Sequence, residues 1–216
     1  MASPDDPHRD QPVLATGAPL TEAAGALILI HGRGADAADI LGLADVLKRP
    51  EIAYVAPEAS GHTWYPNRFV APTASNEPWL TSALAVVRRL VEEIQLGGIP
   101  HERIAILGFS QGACLTLEFA ARNARRYGGV IALSGGLIGD RIDPALHPGS
   151  MAGTPVFLGC SDVDPHIPLA RVQESSAAMR ALGAQVTERI YPGAPHTIVA
   201  DEIEHVRGIL DKMTAG

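Results

Sequence analysis

The apolar residues of this chain fall into six short continuous runs: ALILI at 26–30, IAYVA at 52–56, IAILGF at 104–109, VIALS at 130–134, PVFLG at 155–159 and VTERIY at 186–191. Runs of this length suit parallel strands covered on both faces. Between them lie stretches of helical period. The clearest is Glu77 to Gln95, where Leu80, Leu84, Val87, Val91 and Ile94 recur every three or four residues and Arg88, Arg89, Glu92 and Glu93 take the opposite side. Further helices are expected at 36–47, 112–124, 169–182 and 199–213, with Gly97-Gly98 and Gly183 as stops. Strand alternating with helix means an α/β domain with a largely parallel sheet and right-handed crossovers.

Length and charge narrow the class. With 216 residues, 46% of them hydrophobic, the chain suffices for one domain with its own core, expected over 21–216. Residues 1–20, with Pro4, Pro7, Pro12 and Pro19 among acids and small residues, show neither period and read as a mobile, dispensable lead-in holding at most an edge strand. The 24 acidic against 17 basic residues leave a net charge of −7, which argues against a nucleic-acid partner. The strongest apolar run ends at His31 after five residues, whereas a membrane span needs about 20, so no stable membrane insertion is expected. The acidic, proline-rich start lacks the basic and apolar regions of an export signal, which makes the cytoplasm the expected location. Cys114 and Cys160 form no disulfide framework and read as small buried residues. The eight histidines include no H-E-x-x-H and no ligand spacing, so neither metal nor organic cofactor is expected.

Open parallel sheets present ligands at the carboxyl ends of their strands. There the run 104–109 enters Gly108-Phe109-Ser110-Gln111-Gly112 and then a helix. A sharp strand-to-helix turn brings backbone too close for side chains at 108 and 112 and lifts the Ser110 hydroxyl into the open. A serine needs a neutral imidazole to take its proton and an acid to orient that imidazole. The histidines after Ser110 are 147, 166, 196 and 205; His196 stands in the loop after the last strand, whereas His147 and His205 read as surface residues and His166 as a loop residue at the site entrance. The acid should follow the preceding strand, where Asp162 and Asp164 both stand. Asp164 is favoured because Pro165 and Pro168 fix the turn, with Asp162 left as the alternative or as an Asx turn. Acyl transfer also needs backbone N–H donors for the oxyanion, expected from Gln111 and from Arg33 in His31-Gly32-Arg33-Gly34.

The H-G-x-G loop, the G-F-S-Q-G elbow, the D-x-D-P-x-x-P segment and the late P-H pair resemble the phospholipase/carboxylesterase family of α/β hydrolases, which includes acyl-protein thioesterases and lysophospholipases. The resemblance covers about residues 24–213 and implies an α/β-hydrolase fold, with Ser110 as nucleophile, Asp164 as acid, His196 as base and the Arg33 and Gln111 N–H groups as oxyanion hole. The stretch Gly61 to Phe69 with Asn76 to Trp79 departs from the longer loop of acyl-protein thioesterases, and serine at 110 departs from the cysteine of dienelactone hydrolases.

The expected reaction is two-step ester hydrolysis through an acyl-enzyme, rising with pH through about 6 to 7 as the imidazole loses its proton. The connection 137–154 is too short for a helical lid, so an open cleft and small or short-chain acyl esters are expected. Trp64, Tyr65, Phe69 and Trp79 cluster as a candidate pocket wall, and Arg33 and Arg68 as candidates for selecting an anionic substrate. A homodimer is compatible with this reading. A ligand-binding scaffold without turnover is the alternative of another class; such proteins usually lack a triad member, and none is missing here.

Overall fold

The computed structural model describes residues 6–215. Its strands are β1 (Val13–Gly17), β2 (Gly25–Ile30), β3 (Ile52–Pro57), β4 (Ile104–Phe109), β5 (Gly129–Leu133), β6 (Pro155–Ser161) and β7 (Gln185–Tyr191). They form one sheet in the order β1-β3-β2-β4-β5-β6-β7, with β1 antiparallel to β3 and all other pairs parallel. The helices are α1 (Ala37–Leu41), α2 (Leu43–Leu47), α3 (Trp79–Leu96), α4 (Gln111–Arg122), α5 (Leu169–Ala181) and α6 (Ala200–Thr214).

The apolar runs of β2 to β6 are explained by a core on each face of the sheet, whereas the run at 186–191 forms edge strand β7, which has no buried residue because nothing pairs beyond it. Along β2, Ala26, Ile28 and Ile30 belong to the core on the face of α3, α4 and α5, together with Leu80, Leu115 and Val172. Leu27 and Leu29 point the other way, toward Ile40, Leu47 and Leu210 of α1, α2 and α6. All five β2 side chains are fully buried, and each large one stabilises the fold by about 1.5–3 kcal/mol. The stripe expected on α3 is buried throughout.

The helix expected over 36–47 is broken in two at Gly42, whose N–H is shared between the Ala38 and Asp39 carbonyls at 3.3 Å each. The 137–154 connection carries one 3₁₀ turn, Pro144–Leu146, and no helical lid stands over the sheet among the described residues. None of the described helices is long and apolar enough to cross a membrane.

The lead-in is more structured than its composition suggests. Its residues 1–5 lie outside the described residues, but from Asp6 the chain folds onto the domain and continues into β1. His8 is 1% exposed: its main-chain N–H donates to Ser82 Oγ at 3.0 Å and its ring sits between Trp64 and Trp79. His147, expected at the surface, is buried beside the Glu118 carboxylate of α4.

β2 and β4 are neighbours, and the chain leaves them toward opposite edges of the sheet. This reversal opens a crevice at their carboxyl ends.

Candidate active site

Ser110 is the single residue between β4 and α4, held at φ 55° and ψ −116°. A non-glycine residue pays about 1–3 kcal/mol for such a conformation, and close packing imposes it here. A Cβ on Gly108 would stand 2.2 Å from the Gly112 carbonyl oxygen, and one on Gly112 would stand 2.1 Å from that of Ile30. The start of α4 therefore lies directly on the end of β2. The following loop comes along, and the space a Cβ of Gly32 would occupy is 3.4 Å from Ser110 Cβ.

The loops after β6 and β7 bring the remaining groups. His196 Nε2 is 2.9 Å from Ser110 Oγ, and His196 Nδ1 is 2.6 Å from Asp164 Oδ2. The second carboxylate oxygen of Asp164 accepts the main-chain N–H groups of His166 and Ile167 at 2.8 and 3.0 Å. Burial works to raise the Asp164 pKa, but the His196 hydrogen bond and these two N–H groups outweigh it and hold the carboxyl below its ordinary range. Asp162 does not reach His196. It accepts the Gly193 N–H at 2.8 Å and so ties the acid-bearing loop to the histidine-bearing one. His166 stands edge-on to His196 at 4.9 Å between ring centroids, and Phe109 packs against the same imidazole at 5.0 Å.

Ser110 opens into a cleft of about 400 Å³. Tyr65, Phe69, Phe109, Cys114 and Ile167 supply its apolar lining. Burial pushes the Cys114 thiol up to about 12, so it is present as an uncharged group. Arg33 and Gln111 border the cleft, and among the described residues neither main-chain N–H donates to a protein acceptor. Two such donors beside a serine are suited to receiving charge on a carbonyl oxygen. No three His, Cys, Asp or Glu side chains converge as a metal-binding group among the described residues.

The wall of the cleft, residues 59–69, is held by side chains from distant segments. Gln111 Oε1 accepts the Trp64 N–H at 2.9 Å and its Nε2 donates to the Tyr65 carbonyl at 2.8 Å. Arg33 donates to the carbonyls of Tyr65, Pro66 and Asn67 at 2.8, 3.0 and 2.9 Å. His31 Nε2 accepts the Ala59 N–H at 3.1 Å while Nδ1 donates to the Gly32 carbonyl at 2.8 Å. His8 Nδ1 accepts the Ser60 N–H at 3.1 Å and its Nε2 donates to the Trp64 carbonyl at 3.0 Å.

These contacts correct part of the sequence reading. Tyr65 and Phe69 line the cleft, but Trp64 and Trp79 do not. Trp64 is fully buried behind the wall, its indole N–H on the His31 carbonyl at 2.9 Å, and Trp79 packs against His8. The Arg33 guanidinium is a clamp on the wall, which leaves Arg68 as the arginine free to meet a ligand. Phe109 and Ile167 were not anticipated, although their positions inside the elbow and between Pro165 and Pro168 point to the cleft. His8 left no comparable trace, because nothing local marks a histidine that acts 52 residues away.

A seven-stranded sheet with a serine at the strand-to-helix turn, and imidazole and carboxylate delivered by the last two strand ends, defines an α/β hydrolase. The chain belongs to the phospholipase/carboxylesterase family, whose pattern it matches over residues 12–214. It is 30% identical to acyl-protein thioesterase 1 of Eremothecium gossypii over 86% of this chain and 88% of that protein. Its match to acyl-protein thioesterase 1 of Gibberella zeae, at 32% identity, covers 56% of this chain and only 52% of that protein. Among solved structures, a phospholipase/carboxylesterase from Dyadobacter fermentans superposes with a TM-score of 0.91 at 48% identity, covering 93% of this chain and 97% of that one.

Proposed function

We propose that the protein is a serine carboxylesterase that hydrolyses small or short-chain acyl esters through a Ser110–His196–Asp164 triad. The observation that carries this reading is the unbroken hydrogen-bonded chain from Ser110 Oγ through both nitrogens of His196 to Asp164, at 2.9 and 2.6 Å, at the floor of an open cleft. In this mechanism His196 Nε2 takes the hydroxyl proton as Ser110 Oγ bonds to the ester carbonyl carbon. The oxyanion that forms is received by the Arg33 and Gln111 main-chain N–H groups. Collapse expels the alcohol, which leaves with the proton from His196, and an acyl-serine remains. Water then repeats the sequence with the same base, releasing the acid and restoring Ser110. Asp164 stays ionised throughout, fixing Nδ1 as the protonated nitrogen and stabilising the imidazolium. The absence of a lid among the described residues supports small substrates.

Thioester hydrolysis is the second reading, favoured by the relatives named acyl-protein thioesterases. A panel of p-nitrophenyl esters and acyl thioesters of increasing chain length, run beside Ser110→Ala, decides between them. Turnover concentrated on short esters and abolished in a folded Ser110→Ala is expected. Preference for long-chain thioesters would transfer the assignment, and an active Ser110→Ala would overturn the nucleophile.

A further inference from the structure

We infer that this site selects esters bearing a carboxylate and that Arg68 is the residue that recognises it. The inference rests on the ester-hydrolase reading above and adds the substrate class. Although the chain carries a net charge of −7, the ionisable side chains lining the cleft, apart from Tyr65 and Cys114, are Arg33, Arg68, His166 and His196; no Asp or Glu lines it. Asp164 stands behind His196 and is paired with it. The site is therefore a basic recess in an acidic molecule, which concentrates field lines on an incoming anion.

The two arginines are not equivalent. The Arg33 guanidinium is engaged by three wall carbonyls. Arg68 is exposed, and its guanidinium makes no hydrogen bond or ion pair with any described residue. Its backbone is nevertheless fixed. Buried Asn76 accepts the Asn67 N–H at 2.8 Å and donates to the Arg68 carbonyl at 3.4 Å, and the Phe69 carbonyl accepts the Gly139 N–H at 2.7 Å. An uncommitted guanidinium on a pinned backbone presents the planar fork that fits a carboxylate with two parallel hydrogen bonds. The apolar groups of the same lining, among them Tyr65, Phe69 and Ile167, suit the methylene chain of such a substrate.

The test uses two matched ester pairs followed by pH-stat titration: monomethyl adipate against methyl hexanoate, with the charge on the acyl side, and butanoyloxyacetate against propyl butanoate, with the charge on the alcohol side. The wild type should favour the anionic member of one pair by at least about tenfold in kcat/KM, expressed in KM; whichever pair shows it locates the carboxylate. Arg68→Ala should bring that ratio down toward one and Arg68→Lys should restore part of it. Adding about 0.5 M salt should shrink it. Equal cleavage within both pairs, or a preference that survives Arg68→Ala, would overturn the inference while leaving the esterase reading standing. Silence of the wild type on these and on the p-nitrophenyl esters would overturn both. A readout independent of turnover is calorimetric binding, to Ser110→Ala, of the two members of whichever ester pair the wild type discriminates; the anionic member should bind more tightly, and equal binding of the two counts against Arg68.

Discussion

The elbow around Ser110 and the wall at residues 59–69 face each other across one cleft, yet they are held in different ways. The elbow is fixed by backbone lying on backbone: α4 rests on the end of β2, with room only for hydrogen at 108 and 112. The wall is regular only in one short 3₁₀ turn, Ser60–His62, and its position depends on side chains of His8, His31, Arg33 and Gln111 reaching main-chain groups. Steric fixation fails all at once when violated. A set of hydrogen bonds from three segments fails in parts, so substitutions on the two sides should separate into loss of the reaction and loss of grip on the substrate.

The largest effect belongs to the proposed triad beside the elbow. Asp164→Asn keeps a hydrogen-bonding group on His196 but favours the wrong tautomer, and kcat should fall by about 10⁴ while thermal unfolding moves little. A fall confined to KM would break the distinction between the two regions. Gly112→Ala comes next. Its methyl would meet the Ile30 and His31 carbonyl oxygens at 2.1 and 2.6 Å, a clash that costs about 3 kcal/mol and displaces Ser110. Reduced unfolding temperature together with lost turnover is expected, and wild-type behaviour in both would show that the elbow has slack.

The same contrast explains what could be read from sequence. The β2 to β7 runs, the elbow and the order Ser110, Asp164, His196 rest on local pattern: continuous apolar stretches, a glycine on each side of a serine, and an acid held between a strand and a proline-fixed turn. The wall had no such pattern. Four aromatics close in sequence looked like one surface, but Trp64 and Tyr65 are neighbours and only Tyr65 enters the cleft. Arg33 in a glycine-rich loop gives no indication that its guanidinium closes on carbonyls more than thirty residues away. The acidic, proline-rich start resembles a loose tail, and only the three-dimensional packing shows that His8 belongs to the interior.

Acidity should separate the regions further. On the triad side, buried Glu202 joins the histidine loop to β6: its Oε2 accepts the Val199 N–H at 2.9 Å, and its other oxygen lies 2.1 Å from where a Gly159 Cβ would stand. Burial, with a smaller contribution from Asp201, raises its pKa from 4.5 to about 7 despite the Val199 hydrogen bond. The folded chain thus keeps a proton that the unfolded chain releases, and stability falls as pH rises between those two values, by on the order of 3 kcal/mol. Asp164 has the opposite sign: its lowered pKa contributes stability above the ordinary value of 3.8 that is lost as pH falls through its folded value. Denaturant titrations of Glu202→Gln and wild type at pH 5 and pH 8 should show a gap in favour of the variant that opens with rising pH. Parallel curves would mean that Glu202 is already ionised in the fold.

On the wall side the response to pH is reversed. Burial lowers the pKa of both His8 and His31, against smaller raising effects from their backbone hydrogen bonds. An imidazole with a depressed folded pKa stabilises the protein above its unfolded value of 6.5, and that stability is lost as pH falls below it. Protonation of His8 would also oblige Nδ1 to donate where it now accepts from Ser60. His8→Ala leaves the Ser60 N–H and the Trp64 carbonyl without their partner, a cost of about 2 kcal/mol. Because Ser110, His196 and Asp164 are untouched, the loss in activity should lie mainly in KM, as the wall loosens around Tyr65. The variant should also lose less stability than wild type between pH 7 and pH 5. A drop in kcat matching that of Asp164→Asn would show instead that the wall and the elbow move as one body, and that the hydrogen bonds holding the wall also set the position of Ser110.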